Sequence, residues 1–385
     1  MFTYTMLEQI AELYAGARLE NTLLLACQHL LEPQKRMFEL FLGLGLKPEN
    51  CVIIGKNYST NDGILSELRG LGCVVAPFSD AYDPCQLFKP WFEAQLKSFL
   101  AEQLASRDLS SYDKVAVLDD GGYLLCAIAE IFPALTNVFG VEQTSSGHHK
   151  VMEAKLPYPV ESVARSHQKL VYETPYIGEC GGPRIIQHLD ARGKSDPNIL
   201  VLGLGPIGSQ IAGRLLIASG YRGACADPAV SEQSASRGAY ALLAAKSRVI
   251  PHRDAMLRIA EFDVIVGCAG TPVLEGADIA RLHPEASLIS MSSSDHEFPP
   301  LPFRIKGGKV HDDCYLGRRC LANSGFPITF SGQRNEMPSW QIELTISLLM
   351  ARILDGATEG KLQSLSVVIG QAFETWKTHS NALVH

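Results

Sequence analysis

The chain has 385 residues, of which 46% are hydrophobic and 19% charged, and its formal net charge is −7. This length exceeds one ordinary hydrophobic core and predicts two domains, and the composition excludes a disordered chain. No block of Lys or Arg and no apolar run of bilayer length is present, so we expect neither nucleic-acid nor membrane binding. Ten cysteines are scattered without Cys/His ligand spacing, which predicts reduced thiols and no metal.

The N-terminal segment MFTYTMLEQIAELYAGARLE contains no basic stretch followed by an apolar one. Its apolar residues recur at helical spacing, so we predict an amphipathic helix. We therefore expect no secretory signal and a cytoplasmic location.

The first part of the chain alternates between short apolar strands and helices. The predicted strands are NTLLLACQHL, NCVIIGK, CVVAPF, KVAVLDDGG and NVFGVEQT. The predicted helices are PQKRMFELFLGLG, STNDGILSELRGLG with a Ser/Thr cap, and KPWFEAQLKSFLAEQLAS. Such alternation is typical of a doubly wound parallel sheet.

A second run of alternation begins near residue 198. Its predicted strands are NILVLGLG, RGACADP, FDVIVGCAG, ASLISMSSS and KVHDDC, and a long apolar helix, PSWQIELTISLLMARIL, starts at residue 338. We predict an α/β protein with two doubly wound parallel-sheet domains, the second a Rossmann NAD-binding domain. The expected boundaries are 1–180 plus 338–385 for the catalytic domain and 181–337 for the NAD domain.

The stretch VLGLGPIGSQIA carries a G-x-G-x-x-G turn between a strand and a helix. Gly203 permits a tight turn, Gly205 lets the backbone approach a pyrophosphate, and Gly208 permits close packing of helix on sheet. Asp227 ends the next strand, where an acid binds a ribose 2′-hydroxyl and favours NAD. The alternative is a glycine turn with only a packing role.

Acidic and basic side chains at strand ends supply further candidates. VLDDGG places Asp119 and Asp120 at the carboxyl end of a strand, although Asp-Gly-Gly is equally consistent with a simple turn. His29 ends the first strand, where an isolated histidine is more often structural. Lys169 and Glu173 are four residues apart, and by themselves they indicate an ordinary ion pair on a helix.

Several segments together resemble the S-adenosylhomocysteine hydrolase family, over residues 22 to 350. LACQH, STND, VLDDGGYL, GVEQTSSGHH and GLGPIGSQ are similar to family segments in the same order, and SSSDHE and LANSG match more loosely. The resemblance implies a tightly held NAD⁺ that oxidises the 3′-hydroxyl of a nucleoside. The 4′-hydrogen then becomes acidic, and the 5′ thioether leaves by elimination before water adds and the hydride returns. It also implies two domains that close on the substrate.

The resemblance assigns roles to residues of this chain. The implied catalytic residues are His29, Asp120, Lys169 and Glu173. The implied substrate-binding residues are Ser59, Thr60, Glu142, Gln143, Thr144 and Thr174. The cofactor-binding residues, combining the turn and the resemblance, are Gly203, Gly205, Pro206, Ile207, Gly208, Asp227, Ala269, Gly270, Ser292 and Asn323.

The chain also departs from the family pattern. Gln143 stands where the family has a catalytic glutamate, while Glu173 and Thr174 replace an Asp-Asn pair. Ser293 and Phe326 stand in place of histidines. By strict spacing Cys225, rather than Asp227, is an alternative match to the ribose-binding acid, and the family's Lys- and Tyr-bearing tail has no match in THSNALVH.

These observations predict an adenosylhomocysteinase-like, NAD-dependent enzyme that acts on an adenosine-type nucleoside or its 5′-thioether. One alternative is a catalytically silent NAD-binding regulatory homologue, which the replaced glutamate and histidines favour. Another is a simple NAD-dependent dehydrogenase, which the unmatched tail favours. The expected partners are a small-molecule nucleoside and further copies of the chain, as a homodimer or homotetramer.

Overall fold

The computed structural model describes residues 3–227, 243–246, 248–305, 310–362 and 364–384, and leaves out the side chains of residues 170, 173–175 and 381–384. The chain divides into two compact units. The first comprises Met1–Ala81, Phe92–Glu173 and Gly332–His385, and the second comprises Tyr82–Trp91 and Thr174–Ser331. The chain therefore enters the second unit twice, and the earlier entry has no counterpart in the sequence-based boundaries.

The first unit is built on a six-stranded sheet. Its strands are β1 Thr22–Leu30, β2 Cys51–Thr60, β3 Val74–Val75, β4 Lys114–Asp119, β5 Val138–Glu142 and β6 Val160–Ser162. Its helices are α1 Thr5–Leu13, α2 Glu32–Gly43, α3 Asp62–Gly70, most of α4 Phe88–Leu104, α5 Tyr123–Ile131, α6 Ser145–Ala154, and α10 Ser339–Thr358 and α11 Leu365–Val384 near the end of the chain. The strand order is β3-β2-β1-β4-β5-β6, with every neighbouring pair parallel.

The apolar strands and the long apolar helix of the first unit form its core. All nine residues of β1 and all ten of β2 are buried, because the central strands of a parallel sheet are covered by helices on both faces. Helix α10 packs against α1, α2 and α11 and against β4 and β5. Nearly all of its residues between Gln341 and Leu354 are buried within the unit. Its apolar residues therefore support the core, and they give no support to the expected subunit interface.

The strand order creates a switch point between β1 and β4. From β1 the chain passes to β2 on one side, and it later returns to β4 on the other. At such a point the connections diverge, which leaves a crevice at the carboxyl ends of the two strands where α/β proteins bind ligands. His29 lies near the end of β1 and Asp120 directly follows β4.

The second unit also contains a six-stranded sheet. Its strands are β7 Asn198–Leu202, β8 Arg222–Ala226, β9 Val264–Gly267, β10 Ser287–Ser290, β11 Cys314–Leu316 and β12 Arg319–Leu321. Its helices are α7 Thr174–Ala191, α8 Pro206–Ala212 with a π-helical continuation Gly213–Ala218, and α9 His252–Leu257. The order is β11-β12-β10-β9-β7-β8, and all pairs are parallel except β11 with β12.

This order is that of the Rossmann fold. Val249 forms a parallel bridge with Cys225 of β8, which adds a third position beyond β8. Counted from β7, the sheet then follows the sequence 3-2-1-4-5-6 of dinucleotide-binding folds, with its own switch point between β7 and β9. The predicted fold class, α/β with two doubly wound sheets of which the second is Rossmann-type, is confirmed.

A buried ion pair holds the early crossing segment Tyr82–Trp91 within the second unit. Arg304 has a fully buried side chain, and its Nη1 lies 2.8 Å from Asp295 Oδ2. The same guanidinium group donates to the hydroxyl of Tyr82 at 2.9 Å, and the amide of Phe88 donates to Asp295 at 3.2 Å. Because neither charge reaches water, each needs these partners, and the pairing fixes the segment.

Two local predictions are wrong in detail. Ser59 and Thr60 belong to the end of β2, and the cap of α3 is Asn61, whose Oδ1 accepts a hydrogen bond from Ile64 N at 3.1 Å. In the KVHDDC segment, Lys309 lies outside the described residues and the strand begins only at Cys314. The predicted helix PSWQIELTISLLMARIL is present as α10, which ends where Glu359 adopts a left-handed conformation (φ 53°). Among the described residues, no helix has the length and apolar character needed to cross a membrane.

Candidate functional site

Three ionisable side chains meet at the switch point of the first unit. Asp120 Oδ2 lies 3.2 Å from His29 Nε2, and Asp120 Oδ1 accepts a hydrogen bond from the ammonium group of Lys56 in β2. Lys56 and Asp120 each have a side chain that is 1% exposed. The structure thus brings together His29 and Asp120, as the sequence predicts for a functional edge, and adds Lys56.

The Asp-Asp-Gly-Gly turn gives Asp120 its position. Gly121 and Gly122 both have positive φ, 107° and 71°, a region that residues with a Cβ rarely adopt. A Cβ on Gly122 would lie 3.1 Å from the carbonyl oxygen of Gly147. The paired glycines therefore let the chain reverse directly after β4, and the amide of Asp120 donates to Cys27 O of β1 at 3.0 Å.

The environment of Asp120 keeps it ionised. Burial alone raises the pKa of this carboxyl group, but the charges of Lys56 and His29 and their hydrogen bonds outweigh burial and hold the pKa well below its usual range. Lys56 responds in the complementary way, since burial lowers its pKa while Asp120 raises it well above the ordinary value. Asp120 is consequently a fixed negative charge and a poor proton acceptor.

Sequence reasoning missed Lys56. Its sequence signal is a lysine inside the apolar strand CVIIGKNYST, where a charged residue is rarely buried without a partner. The partner, Asp120, is 64 residues away along the chain. Only the pairing of β2, β1 and β4 brings the two together.

Glu142, predicted to bind substrate, instead anchors two loops. Its carboxylate accepts hydrogen bonds from the amides of Gly121 (3.0 Å), Gly122 (3.0 Å) and Thr144 (2.7 Å), and from the Thr144 hydroxyl (2.7 Å). Burial, reinforced by Asp119 and Asp120, raises its pKa to about 8 despite these donors. Thr144 also caps α6 by accepting from Gly147 N at 3.0 Å. Both side chains are therefore engaged within the protein.

Of the other predicted substrate-binding residues in the first unit, Ser59 and Thr60 make internal hydrogen bonds, and the Gln143 side-chain oxygen makes none among the described residues. His29 Nδ1 is hydrogen-bonded to Ser59 Oγ, and the hydroxyls of Ser59 and Thr60 each lie within hydrogen-bond reach of Lys56 O, at 3.2 and 3.0 Å. Gln143 is 5% exposed, and its Oε1 has no hydrogen-bond partner within the described part of the chain. Ser59 and Thr60 thus support the positions of His29 and Lys56.

Lys169 reaches the same edge of the sheet. Its Nζ donates to the backbone oxygen of Gln143 at 2.9 Å, directly after β5. The residue begins a π-helical turn, Lys169–Glu173, a distortion that is common at functional sites. The side chains of Glu173 and Thr174, predicted to act beside it, lie outside the described part of the structure.

In the second unit, the glycine turn is closely packed at Gly203 and Gly208 and open at Gly205. A Cβ on Gly203 would lie 2.7 Å from Ala269 N, and one on Gly208 would lie 1.9 Å from Gly203 O. Both positions therefore exclude larger residues. Gly205 and Pro206 are exposed, and a Cβ on Gly205 would meet nothing within 4 Å. Ile207 is half-buried on the first turn of α8.

Asp227, rather than Cys225, lies at the edge where a ribose would bind. Asp227 follows the last residue of β8, and its Oδ2 accepts a hydrogen bond from Leu204 N at 2.6 Å. Cys225 is fully buried, and its thiol donates to Arg248 O at 3.4 Å. The side chain of Cys225 thus faces the interior, whereas that of Asp227 contacts the glycine turn.

A buried glutamate, which sequence reasoning missed, organises the neighbouring loops. Glu297 accepts hydrogen bonds from Ala269 N (2.7 Å), Gly270 N (3.1 Å) and the hydroxyls of Ser290 (2.7 Å) and Ser292 (2.9 Å). It therefore ties the ends of β9 and β10 together. Among the predicted cofactor contacts, Ala269, Gly270 and Ser292 are positioned by this carboxylate.

The two histidine replacements have different surroundings. Phe326 is fully buried, and its ring centroid lies 5.6 Å from that of Tyr82 and 5.7 Å from that of Phe88, so it helps to hold the crossing segment. Ser293 is exposed. Asn323, a predicted cofactor contact, donates instead to the carbonyl oxygens of Pro327 (2.7 Å) and Phe330 (2.9 Å).

Comparisons with known proteins add a sequence relationship. No protein-family model matches the chain. Two uncharacterised proteins of Mycobacterium tuberculosis, from two strains, are 31% identical over 353 residues, which cover 87% of this chain and 64% of each relative. The chain thus spans less than two thirds of the length of these relatives.

Similar solved structures are more distant. The dipicolinate synthase of Bacillus halodurans aligns with a TM-score of 0.48 and 11% identity over 88% of this chain and 99% of that chain. The apo form of D-lactate dehydrogenase from Escherichia coli aligns with a TM-score of 0.30 and 15% identity over 53% and 71%.

Lys56→Met should destabilise the first unit, because it leaves the buried charge of Asp120 without its main partner. We expect a loss of about 3–5 kcal/mol in the free energy of unfolding, as for other broken buried pairs. Lys56→Met combined with Asp120→Leu should lose less than the sum of the two single variants, as measured by urea denaturation. Lys97→Met, which breaks an exposed pair with Glu130, is the control and should cost about 1 kcal/mol or less. Strict additivity of the Lys56 and Asp120 changes would contradict the pairing.

Glu142 should make the stability of the first unit fall as pH rises. Since its pKa is raised to about 8, the folded protein holds a proton that the unfolded chain releases above its ordinary pKa of about 4.5, and stability is lost up to about pH 8. Glu142→Gln should flatten this decline by up to about 1.4 kcal/mol per pH unit between about pH 6 and 8, measured by urea denaturation. Glu161→Gln, which changes a side chain that is 56% exposed, should leave the slope unchanged. Equal slopes for Glu142→Gln and the unmodified protein would refute this role.

Proposed function

We propose that the protein is an NAD-dependent enzyme of the adenosylhomocysteinase type, acting on an adenosine-like nucleoside or its 5′-thioether by transient 3′-oxidation. The observation that carries this proposal is the buried Lys56–Asp120–His29 constellation at the switch point of the first unit. Buried charges are costly to maintain, and when they gather at the ligand-binding edge of an α/β sheet they favour a functional site. We also propose a small-molecule substrate, a cytoplasmic location, a homodimer or homotetramer, and no nucleic-acid or membrane partner.

The second unit fits NAD by its own geometry. The exposed Gly205 leaves room for a phosphate group to approach the backbone, and the close contacts of Gly203 and Gly208 hold the turn in the shape that this approach requires. Asp227 lies at the end of β8 with a carboxylate that already accepts from the turn. This acid supports NAD over NADP, since a 2′-phosphate would be repelled there.

The proposed chemistry divides roles among the residues of the first unit. When bound, NAD⁺ would supply a hydride acceptor for the ribose 3′ carbon. Lys169, whose Nζ lies at the carboxyl edge beside Gln143, would receive the 3′-hydroxyl proton. His29 would exchange the proton at the 4′ carbon or the 5′ leaving group. Asp120 would act as a positioning residue, because its fixed negative charge orients the ring of His29.

A silent NAD-binding homologue is a second candidate, favoured by a specific observation. Both ring nitrogens of His29 are hydrogen-bonded within the protein, to Asp120 and to Ser59, and Ser59 is fully buried. A catalytic His29 has to release Ser59 before it can transfer a proton to a substrate. Gln143, in place of an ionisable residue, adds to this alternative.

NAD should bind to the glycine turn of the second unit. We expect Gly205→Ala to weaken NAD binding by about tenfold or more, because the new methyl group occupies the space that a pyrophosphate would need. The fold should persist, since Gly205 has φ −62° and an unobstructed Cβ position. Calorimetric titration of cofactor-stripped protein measures the change.

Gly213→Ala is the matched control for this experiment. Gly213 lies further along the same helix, and a Cβ there also meets nothing within 4 Å. It should bind NAD as the unmodified protein does. If the unmodified protein does not bind NAD at millimolar concentration, the cofactor proposal fails.

Two variants separate the proposed steps when adenosine is added to the NAD-loaded protein. Lys169→Met should abolish the NADH absorbance, because the 3′-hydroxyl proton then lacks an acceptor. His29→Gln should allow the absorbance to appear but stall exchange of the 4′-hydrogen with deuterated solvent, followed by mass spectrometry. An unmodified protein that binds NAD yet shows neither signal with adenosine or its 5′-thioethers would favour the silent homologue. If Lys169→Met forms NADH at the rate of the unmodified protein, Lys169 has only a structural role.

A further inference from the structure

Three potential metal ligands converge in the second unit, away from the glycine turn. His188 lies in the last turn of α7, Asp313 precedes β11, and Cys320 lies in the middle of β12. One potential ligand atom from each residue lies within 4.8 Å of the other two. The antiparallel pairing of β11 and β12 places Cys320 opposite Tyr315, so the hairpin itself brings Asp313 and Cys320 together.

The spacing of the first two groups is unusual for a hydrogen bond. His188 Nδ1 lies 3.5 Å from Asp313 Oδ2, whereas a direct hydrogen bond between these atoms would be about 2.7–3.2 Å. Two nitrogen or oxygen ligands of a tetrahedral zinc ion, each about 2.0–2.1 Å from the metal, are separated by about 3.3 Å. The observed separation is close to this value.

The surroundings orient the carboxylate. Asn323 N donates to Asp313 Oδ1 at 3.0 Å, which leaves Oδ2 directed at His188. Supporting hydrogen bonds of this kind are typical of metal ligands, because they fix the orientation of each ligating group. The side chains of His188 and Asp313 are 8% and 31% exposed, and Cys320 is fully buried. The cluster is therefore closed on the cysteine side and open to water beside Asp313.

We propose that His188, Asp313 and Cys320 bind a zinc ion, with water as the fourth ligand. Nitrogen, oxygen and sulfur donors together suit zinc better than magnesium or calcium, which prefer oxygen alone. Binding replaces the thiol proton of Cys320, which passes to solvent as the sulfur–zinc bond forms. The thiolate and the carboxylate then balance the two charges of the ion.

The positive charge of Arg192 opposes the binding of a cation but does not occupy the site. Its guanidinium group donates to the hydroxyl of Tyr315 at 3.3 Å and to Arg318 O at 3.4 Å. Its Cζ lies 5.4 Å from the centre of the Tyr315 ring. Arg192 is thus directed along the hairpin, and its charge tunes the affinity for zinc from outside the ligand set.

Zinc in this position would act as a clamp. It would join the end of α7 to the β11–β12 hairpin through one ion. Through Asp313 it would also restrain Asn323, whose loop follows β12 at the carboxyl edge of the Rossmann sheet. The proposal does not depend on the proposed enzymatic reaction, because it concerns only the metal.

The test uses the full chain, treated with a chelator and titrated with Co²⁺ as a spectroscopic substitute for Zn²⁺. The unmodified protein should bind one equivalent and show a thiolate-to-cobalt charge-transfer band, which Zn²⁺ then removes by competition. Cys320→Ser should abolish the band. His188→Gln and Asp313→Asn should each weaken binding by about tenfold or more.

Two further variants distinguish a metal site from a merely structural cluster. Cys314→Ser changes the neighbouring buried thiol, which lies 3.3 Å from Ser324 Oγ, and should leave the cobalt band intact. Arg192→Gln should tighten Co²⁺ binding roughly threefold to tenfold, because it removes a repulsive charge. The proposal is overturned if the unmodified protein shows no thiolate band at micromolar Co²⁺, or if the band survives in Cys320→Ser.

Discussion

The attraction between the Lys56 ammonium and the Asp120 carboxylate is the constraint on which the first unit depends. Both groups are removed from water at the switch point of the sheet, where an unpaired charge would be prohibitively costly. The pair requires β2, β1 and β4 to be neighbours, and it requires a chain reversal directly after Asp119. The two glycines with positive φ supply that reversal. Sheet order, turn chemistry and charge pairing are therefore parts of one arrangement.

In each unit, a buried glutamate accepts hydrogen bonds from backbone amides at the ends of strands. Where parallel strands end, backbone amides lose their partners in the sheet and need acceptors. Glu142 accepts from the amides that follow β4 and β5, and Glu297 accepts from those that follow β9 and β10. Each carboxylate holds two neighbouring loops in fixed positions. The loops at the carboxyl edges of both sheets are tied together for this reason.

Fixing Asp120 as a carboxylate also changes how the first unit can act. A carboxylate shared between Lys56 and His29 orients the ring, but it gives up most of its own basicity. The neutral Gln143 nearby removes another ionisable group. The proposed reaction therefore assigns proton transfer to His29 and Lys169, which are hydrogen-bonded to the Ser59 hydroxyl and to the Gln143 carbonyl oxygen, respectively.

The sequence by itself determined the alternation of strands and helices, the doubly wound class and the glycine turn, because these depend on local periodicity and on the conformational freedom of glycine. It also placed His29, Asp120 and Asp227 at strand ends. Only the tertiary structure decided that Lys56 pairs with Asp120, that Glu297 gathers two loops, and that Asp227 rather than Cys225 faces the turn. It likewise showed that Asn61 caps α3 and that Tyr82–Trp91 belongs to the second unit, where Arg304 binds Tyr82. Each of these depends on residues far apart in the chain, whose meeting is set by strand order and burial rather than by any spacing that a sequence displays.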